Sequence, residues 1–393
     1  MATSMGIIVF LGLLVNALFV KMKLPGLLGM LILGVIIGPY CLNIIDANML
    51  QVSGDFRKIA LIIILLRAGL GISRKTLHSV GKTAIKMSCI PGIIEGFTIL
   101  LVSMFLFDFS FIEGGILGFI IAAVSPAVVV PLMLKFSEEK IGTNKGIPSL
   151  VMASASIDDV FAITIFTTFL GLYSGSQHNI GVKLLGIPIS IILGIIIGLI
   201  IGLLLVKIFE KIHMRDTKKV IYILGIAILF TALEGVLADK IEIASLLGVM
   251  TIGFVLLEKA PERAKRLASK FNKIWIFAEI FLFTLVGAQV NISVAFDSGI
   301  KGMILILIGL IGRSIGVLIS TKNSNLNTKE RLFCVASYTP KATVQAAIGA
   351  VPLALGVVSG EIMLALSVLS IIITAPIGAM LIKLSAKYFL VKG

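Results

Sequence analysis

Long apolar stretches, separated by short polar connections, follow one another along the whole chain. A helix needs about 20 apolar residues to cross a bilayer, and this pattern predicts about thirteen crossings. Their expected bounds are 4–20, 25–40, 59–73, 83–107, 112–134, 146–173, 184–206, 220–237, 241–257, 274–290, 299–320, 331–355 and 361–382. The sequence therefore predicts an all-α polytopic membrane protein. The first apolar stretch has no basic residue before it, so we interpret it as a membrane helix rather than a signal peptide.

Composition agrees with this prediction. The chain is 58% hydrophobic and its mean hydropathy is +1.12, whereas soluble domains of this size are far more polar. Its net charge of +14 is unevenly placed, because alternate connections sum to +19 on one side and −3 on the other. Basic residues accumulate on the cytoplasmic side of membrane proteins. We therefore expect a multi-pass cell-membrane protein, in a bacterial inner membrane, with its N-terminus outside and its C-terminus cytoplasmic, and no nucleic-acid partner.

Several kinds of site receive no support from the sequence. The three cysteines are scattered and the three histidines fall in or beside polar connections, so neither type forms a metal-ligand pattern. No GxxxxGK[ST] phosphate-binding loop occurs, so ATP is not the expected energy source. We expect no cofactor.

Two adjacent carboxylates, Asp158 and Asp159, lie near the middle of the apolar segment 146–171. A charge at such depth costs about 2.5–3.5 kcal/mol on insertion scales, unless it faces water, pairs with a cation or takes up a proton. Neighbours on a helix point about 100° apart, which favours one structural and one ion-binding carboxylate. The alternative is that both only lock helices together. Glu95, Arg313 and Lys341 also lie deep and need partners.

Two segments carry a proline in mid-span after a small hydroxyl residue, as Ser125-Pro126 and as Thr339-Pro340. Proline interrupts the helical hydrogen bonds, and paired broken helices in the two halves of a transporter mark its substrate site. The fifth and twelfth segments correspond here, so the two halves are expected to run in opposite senses. The alternative is a pair of ordinary proline kinks.

Opposite charges occupy comparable places before these two prolines. Glu95 precedes Pro126 by 31 residues, and Arg313 precedes Pro340 by 27 residues. This correspondence predicts a structural ion pair between Glu95 and Arg313 across the pseudo-two-fold axis.

A hard cation such as Na⁺ binds oxygen ligands. Asp159, together with hydroxyls for which Ser156 and Thr164 are candidates, backbone carbonyls and water, provides such ligands. Protons and the cation would then compete for one carboxylate, and that competition would couple the two fluxes. A channel or a carboxylate-substrate symporter is a rival, although two aspartates against one lysine disfavour an anionic substrate. An intramembrane aspartyl protease is disfavoured because its two aspartates belong on separate helices, so no enzyme is expected.

Five motifs together resemble one family. They are LLRAGLGI (65–72), IPGIIEG (90–96), SPAVVVP (125–131), SIDD (156–159) and TPKATVQAAIG (339–349). In this order and spacing they resemble the cation:proton antiporters of the second family, and most closely the NHA-type sodium/proton antiporters. The resemblance implies exchange of Na⁺ or Li⁺ for H⁺ by a homodimer with the crossed-helix, inverted-repeat fold. K⁺/H⁺ antiport and Na⁺-coupled symport remain alternatives.

The resemblance also implies roles for particular residues. Asp159 would bind the cation and the proton, and Asp158 would pair with Lys341 in the other half while also belonging to the Na⁺ site. The unwound crossing would be marked by Ser125, Pro126, Thr339 and Pro340. A core at about 83–173 and 299–382 would move like an elevator against a dimerisation scaffold at about 1–73 and 184–290. Many relatives have a lysine where this chain has Arg313, and arginine keeps its proton.

Overall fold

The computed structural model describes residues 1–71, 74–173, 180–237 and 243–392. Within them the N-terminal half consists of α1 (Ala2–Lys21), α2 (Gly26–Ile37), α3 (Ala47–Gln51), α4 (Ser53–Gly71), α5 (Arg74–Leu106), α6 (Phe111–Ile121), α7 (Pro126–Glu138), α8 (Ile147–Tyr173) and α9 (Ile180–Lys211). The remainder consists of α10 (Asp216–Leu237), α11 (Ser245–Lys259), α12 (Pro261–Ala288), α13 (Ile292–Asp297), α14 (Gly299–Ser320), α15 (Thr328–Ser337), α16 (Thr343–Ile348), α17 (Val351–Ala354) and α18 (Gly360–Phe389).

The all-α prediction is confirmed, and a helix or a broken pair of helices overlaps each of the thirteen predicted segments. Eight helical stretches of the described residues are long and apolar enough to cross a membrane. Shorter apolar helices, at Gly26–Ile37 and Thr343–Ala354, fall below that length. The exact number of crossings therefore stays a prediction.

The chain divides into two compact units. Unit 1 comprises Met1–Arg57, Ser79–Gly175 and Ile280–Gly393, and unit 2 comprises Lys58–His78 and Ser176–Glu279. Every residue of the predicted ion site belongs to unit 1. The sequence-based division instead assigned residues 1–57 to the scaffold. Because compactness does not show which parts move, the division into core and scaffold stays a prediction.

Small residues bring the helices of unit 1 close together around the predicted site. On α14, a Cβ at Gly312 would meet Thr98, and a Cβ at Gly316 would meet the backbone of Pro91. These close approaches hold α14 against α5 and place Arg313 beside the turn of α5 that carries Glu95. On α18, Gly378 lies against Pro340 and permits a close approach to the second broken helix.

Unit 2 contains Arg67, an arginine inside the predicted apolar segment 59–73. Arg67 of α4 donates from Nε to Asn272 Oδ1 of α12 at 2.8 Å, and its guanidinium lies 5.2 Å from the centre of the Trp275 ring. In the same unit, α9 packs on α11 through Gly194 and Gly198, where an added Cβ would collide with backbone carbonyls. These two glycines therefore permit the close packing of α9 against α11.

Candidate functional site

The first broken helix is interrupted at residues 122–125, between the end of α6 and the start of α7. Ser125 occupies the N-cap position and Pro126 the first turn of α7, where the missing N–H of proline costs no helical hydrogen bond. Residues 122–126 are all buried. Their freed backbone groups therefore need partners inside the protein.

The second broken helix is interrupted at residues 338–342, between α15 and α16. The two interruptions meet directly, because the backbone N–H of Ser125 donates to the carbonyl of Pro340 at 2.8 Å. The hydroxyls of Ser125 and Thr343 lie 3.4 Å apart. The structure therefore brings together Ser125, Pro126, Thr339 and Pro340 as a crossing of two unwound segments.

Gln345 of α16 supplies donors to the carbonyls that the first interruption frees. Its Nε2 lies 3.0 Å from Ile120 O, 3.1 Å from Ile121 O and 2.9 Å from Ala123 O. The side chain is fully buried, and its Oε1 has no hydrogen-bond partner among the described residues. One side chain of the second repeat thus takes the place of the missing helical N–H groups of the first.

The freed N–H groups find acceptors on α8 and α18. The N–H of Val124 donates to Asp158 Oδ2 at 2.9 Å, and the N–H of Lys341 donates to Thr374 Oγ1 at 2.8 Å. Asp158 and Thr374 follow their respective prolines by similar distances in the sequence. The two halves therefore correspond in how a freed backbone N–H is bound, which is by a carboxylate in one half and by a hydroxyl in the other.

Gln345→Leu is expected to lower the melting temperature of the purified protein. Leucine fills a similar volume but leaves the three carbonyls without this donor, and an unsatisfied buried polar group costs about 1–3 kcal/mol. Gln51→Leu, at an exposed helix end, is the matched control. An unchanged melting temperature for Gln345→Leu would show that water or another group satisfies these carbonyls.

Four buried charges form a continuous cluster beside the crossing. Arg313 lies at the centre, with Nη1 2.6 Å from Glu95 Oε2 and Nη2 2.7 Å from Asp158 Oδ2. Lys341 Nζ lies 2.6 Å from the same Glu95 oxygen. Arg313 also donates to the carbonyl of Ala122 in the first interruption. All four side chains are at most 2% exposed, and the two carboxylates balance the two cations.

This pairing agrees with the sequence-based expectation in one part and differs in another. Glu95 and Arg313 are in contact, as expected from their matching positions. Lys341, however, pairs with Glu95, and Asp158 pairs with Arg313 instead of Lys341. The reason is geometric: the fork of the guanidinium spans two carboxylates at once, whereas the lysine reaches only one.

Asp159 lies outside these pairs. It is 2% exposed, it forms no ion pair with a described side chain, and its Oδ1 has no hydrogen-bond partner among the described residues. It is one residue away from Asp158 and therefore points about 100° away from the cluster. A buried carboxylate without a cation is stable only if it binds a proton or a metal ion.

The two hydroxyls proposed as further ligands are not equally placed. Ser156 lies three residues before Asp159 and shares its helix face, and its hydroxyl donates to Met152 O at 3.0 Å, which leaves lone pairs free. Thr164 lies five residues after Asp159, so it is about 140° round the helix and about 7.5 Å along it. Helix geometry therefore favours Ser156 over Thr164 as a second ligand.

Comparison with known proteins bears on this arrangement. The profile of the family described as "Sodium/hydrogen exchanger, transmembrane" matches residues 6–387, nearly the entire chain. The chain belongs to the sodium/hydrogen exchangers. The resemblance to NHA-type cation:proton antiporters is thereby confirmed, and the family is one of transporters.

Among curated exchangers, sodium/hydrogen exchanger 9B2 of Homo sapiens is 33% identical over 382 residues, which cover 92% of this chain and 69% of that protein. Sodium/hydrogen exchanger 9B1 of Homo sapiens is 31% identical over 375 residues, which cover 91% of this chain and 71% of that protein. The solved structure of the sodium proton antiporter MjNhaP1 from Methanocaldococcus jannaschii at pH 8 superposes with a TM-score of 0.84. It covers 98% of this chain and 97% of that chain at 21% identity. This similarity shows that the chain has the fold of that sodium proton antiporter.

Sequence reasoning missed two residues of the site, Gln345 and Thr374, as functional groups. Gln345 is the only amide side chain in the apolar run 342–351, and an amide at membrane depth needs several partners. That signal was available. Thr374 gives no comparable signal, because a threonine in a membrane helix ordinarily satisfies its own hydroxyl on the preceding turn.

Proposed function

We propose that this exchanger moves Na⁺ or Li⁺ in one direction and H⁺ in the other by binding them alternately at Asp159. The observation that carries the proposal is the contrast between neighbouring carboxylates. Asp158 is held by Arg313 and by the N–H of Val124, whereas Asp159 has no cation partner among the described residues. Only Asp159 is therefore free to exchange one cation for another.

The chemistry follows from the needs of a buried carboxylate. A bare anion is costly to bury, so the empty carrier does not readily change its exposure to the two sides. Either a proton or a metal cation neutralises Asp159 and removes that cost. The two cargoes exclude each other because they use the same oxygens, and the exclusion couples their movements. Ser156, Asp158 at the edge of the site, and water would complete the coordination of the metal cation.

The crossing and the charge cluster supply a rigid frame for this exchange. Hydrogen bonds join the two interruptions. Ion pairs join α5, α8, α14 and the segment that precedes α16, so the two repeats are held together. We propose that a core at about 83–173 and 299–382 moves as one body, like an elevator, against a scaffold at about 1–73 and 184–290. A homodimer would hold the scaffold still. In a cell membrane, with the N-terminus outside, such exchange would serve pH homeostasis.

The deciding experiment uses the purified protein in liposomes with an imposed pH gradient. Na⁺, Li⁺ and K⁺ are added in turn, and dissipation of the gradient is followed with a pH-sensitive dye. Dissipation by Na⁺ and Li⁺ supports the proposal. Dissipation by K⁺ alone would establish K⁺/H⁺ antiport instead. Uptake of ²²Na⁺ that does not depend on the pH gradient, but does depend on a second solute, would establish a symporter.

Competition for Asp159 also predicts a particular pH dependence. Lowering the pH on the side from which Na⁺ binds is expected to raise the Na⁺ concentration needed for half-maximal exchange. Saturating Na⁺ should restore most of the rate, because the cation displaces the proton from the same oxygens. Rates measured over a matrix of pH and Na⁺ concentration test this. A maximal rate that falls while the half-saturating concentration stays constant would place the proton elsewhere.

A further inference from the structure

A long crevice lies in unit 1 between α14, α15 and α18, and its inner end reaches Thr339 and Thr374 of the crossing. Its volume is about 630 Å³, within the range of about 300–1,000 Å³ that is usual for small-molecule sites. Along α18 it extends from Ile373, at the level of the second interruption, to Phe389 near the end of the helix. The sixteen helical rises from Ile373 to Phe389 span about 24 Å, which exceeds half of the roughly 30 Å hydrocarbon core.

The crevice is suited to an apolar ligand. None of its lining residues, all of which the structure describes, carries a charge. It contains four aliphatic hydroxyls, and each donates to a backbone carbonyl three or four residues earlier: Ser314 to Leu310 O, Thr339 to Val335 O, Thr374 to Ser370 O and Ser385 to Ile382 O. Because these protons are already used and no lining residue is charged, the walls are mostly apolar and suit a hydrocarbon chain better than a polar ligand.

The same crevice is open at its sides, where a membrane protein meets lipid. Leu384 and Tyr388 line it and are 47% and 65% exposed. Tyrosine is enriched at the membrane–water boundary, where its ring is apolar and its hydroxyl reaches water. The end of the crevice near Tyr388 therefore lies at the expected depth of lipid headgroups.

That end of the crevice is also basic. Lys383 and Lys387 are exposed and precede Leu384 and Tyr388, each by one residue, so they flank the lining stripe of α18. Lys329 is exposed at the start of α15, three residues before the lining residue Leu332 and on the same helix face. Basic groups at the mouth of a pocket between membrane helices recognise anionic headgroups.

We propose that this crevice binds an anionic phospholipid, with one acyl chain between α14, α15 and α18 and the headgroup at Lys329, Lys383 and Lys387. The end of this acyl chain contacts Thr339 and Thr374 of the protein. Thr374 accepts the hydrogen bond from the N–H of Lys341, so the lipid lies against the segment that carries a charge of the central cluster. The lipid composition of the membrane thereby affects the second broken helix, although the lipid does not reach the ion-binding carboxylate.

Tryptophan quenching tests this binding directly, because Trp275 is the only tryptophan of the sequence. In a Trp275→Phe background, a tryptophan replaces Leu381, which lines the crevice, or Ile311, which is exposed on α14 outside it. Each variant is reconstituted in phosphatidylcholine with equal fractions of brominated phosphatidylglycerol or brominated phosphatidylcholine. The tryptophan at position 381 is expected to be quenched several-fold more strongly by brominated phosphatidylglycerol than by brominated phosphatidylcholine. The tryptophan at position 311 is expected to be quenched equally by both lipids.

Charge variants then test the headgroup site. The triple change Lys329→Gln, Lys383→Gln and Lys387→Gln is expected to abolish the preference at position 381. The matched triple change of the exposed residues Lys207, Lys211 and Lys218 to Gln is expected to preserve it. If Leu381→Trp does not elute as folded protein, Leu384→Trp replaces it.

Three results would overturn the proposal. Equal quenching by the two lipids at position 381 would remove the selectivity for anionic headgroups. If the tryptophan at position 311 is quenched but neither lipid quenches the tryptophan at position 381, protein, such as a second copy of the chain, covers the crevice. A preference that survives in the Lys329, Lys383 and Lys387 variant would place the headgroup elsewhere. None of these measurements depends on exchange activity.

Discussion

Asp159→Asn is expected to abolish cation-dependent proton flux while the protein remains folded. The amide has the size of the carboxyl group but neither binds a proton reversibly at this position nor neutralises a metal cation. Because Asp159 is unpaired with any described cation, its replacement leaves no stranded charge behind. Exchange in liposomes and the melting temperature in detergent, measured on the same preparation, separate the two effects.

The matched control for this change is Asp297→Asn, at an exposed position near the end of α13. It removes the same charge outside the site and is expected to keep full exchange. Persistent Na⁺/H⁺ exchange by Asp159→Asn would falsify the role of Asp159 as the carrier. Loss of exchange together with loss of the folded protein would instead indicate a structural role.

Glu95→Gln is expected to destabilise the protein strongly. One oxygen of Glu95 accepts from both Arg313 and Lys341, so the neutral amide leaves two buried cations facing one carboxylate, Asp158. Breaking a buried ion pair by removing one partner costs about 3–5 kcal/mol. The melting temperature in detergent measures the loss, and Glu138→Gln at the exposed end of α7 is the control.

A second variant shows whether charge balance is the cause. Arg313→Gln leaves an excess negative charge and is expected to destabilise the protein as well. The double variant Glu95→Gln with Arg313→Gln retains only Asp158 and Lys341, which balance, so it should recover much of the loss. If the two losses simply add, charge balance does not stabilise the cluster. Because Asp159 is intact, the double variant should keep some exchange.

Much of the architecture was predictable because bilayer physics limits the choices. Apolar length and the alternation of basic connections located the helices, and the two prolines located both interruptions to within a few residues. The contact between Glu95 and Arg313 followed from comparing the two halves of the sequence. These features depend on local spacing and on symmetry, which a single sequence displays.

The partners of Lys341 and Asp158 were not predictable in the same way. Arg313 and Asp158 are 155 residues apart in the chain, and Lys341 and Glu95 are 246 residues apart. Which cation reaches which carboxylate depends on helix rotation and on close packing at residues such as Gly312 and Gly316. Hydrophobic periodicity is weak in helices that are apolar on every side, so it gives no rotation angle for them.

The balanced cluster beside Asp159 has an electrical consequence. Glu95, Asp158, Arg313 and Lys341 contribute no net charge as long as Lys341 keeps its proton. In the proposed exchange, the Asp159 carboxylate would carry no net charge with either H⁺ or one monovalent cation bound. A membrane potential of 100 mV acts on each uncompensated elementary charge with about 2.3 kcal/mol. If a core moves as proposed and has the same net charge of zero in both directions, the voltage does no work on it, and the ion and proton gradients alone would set the direction of transport.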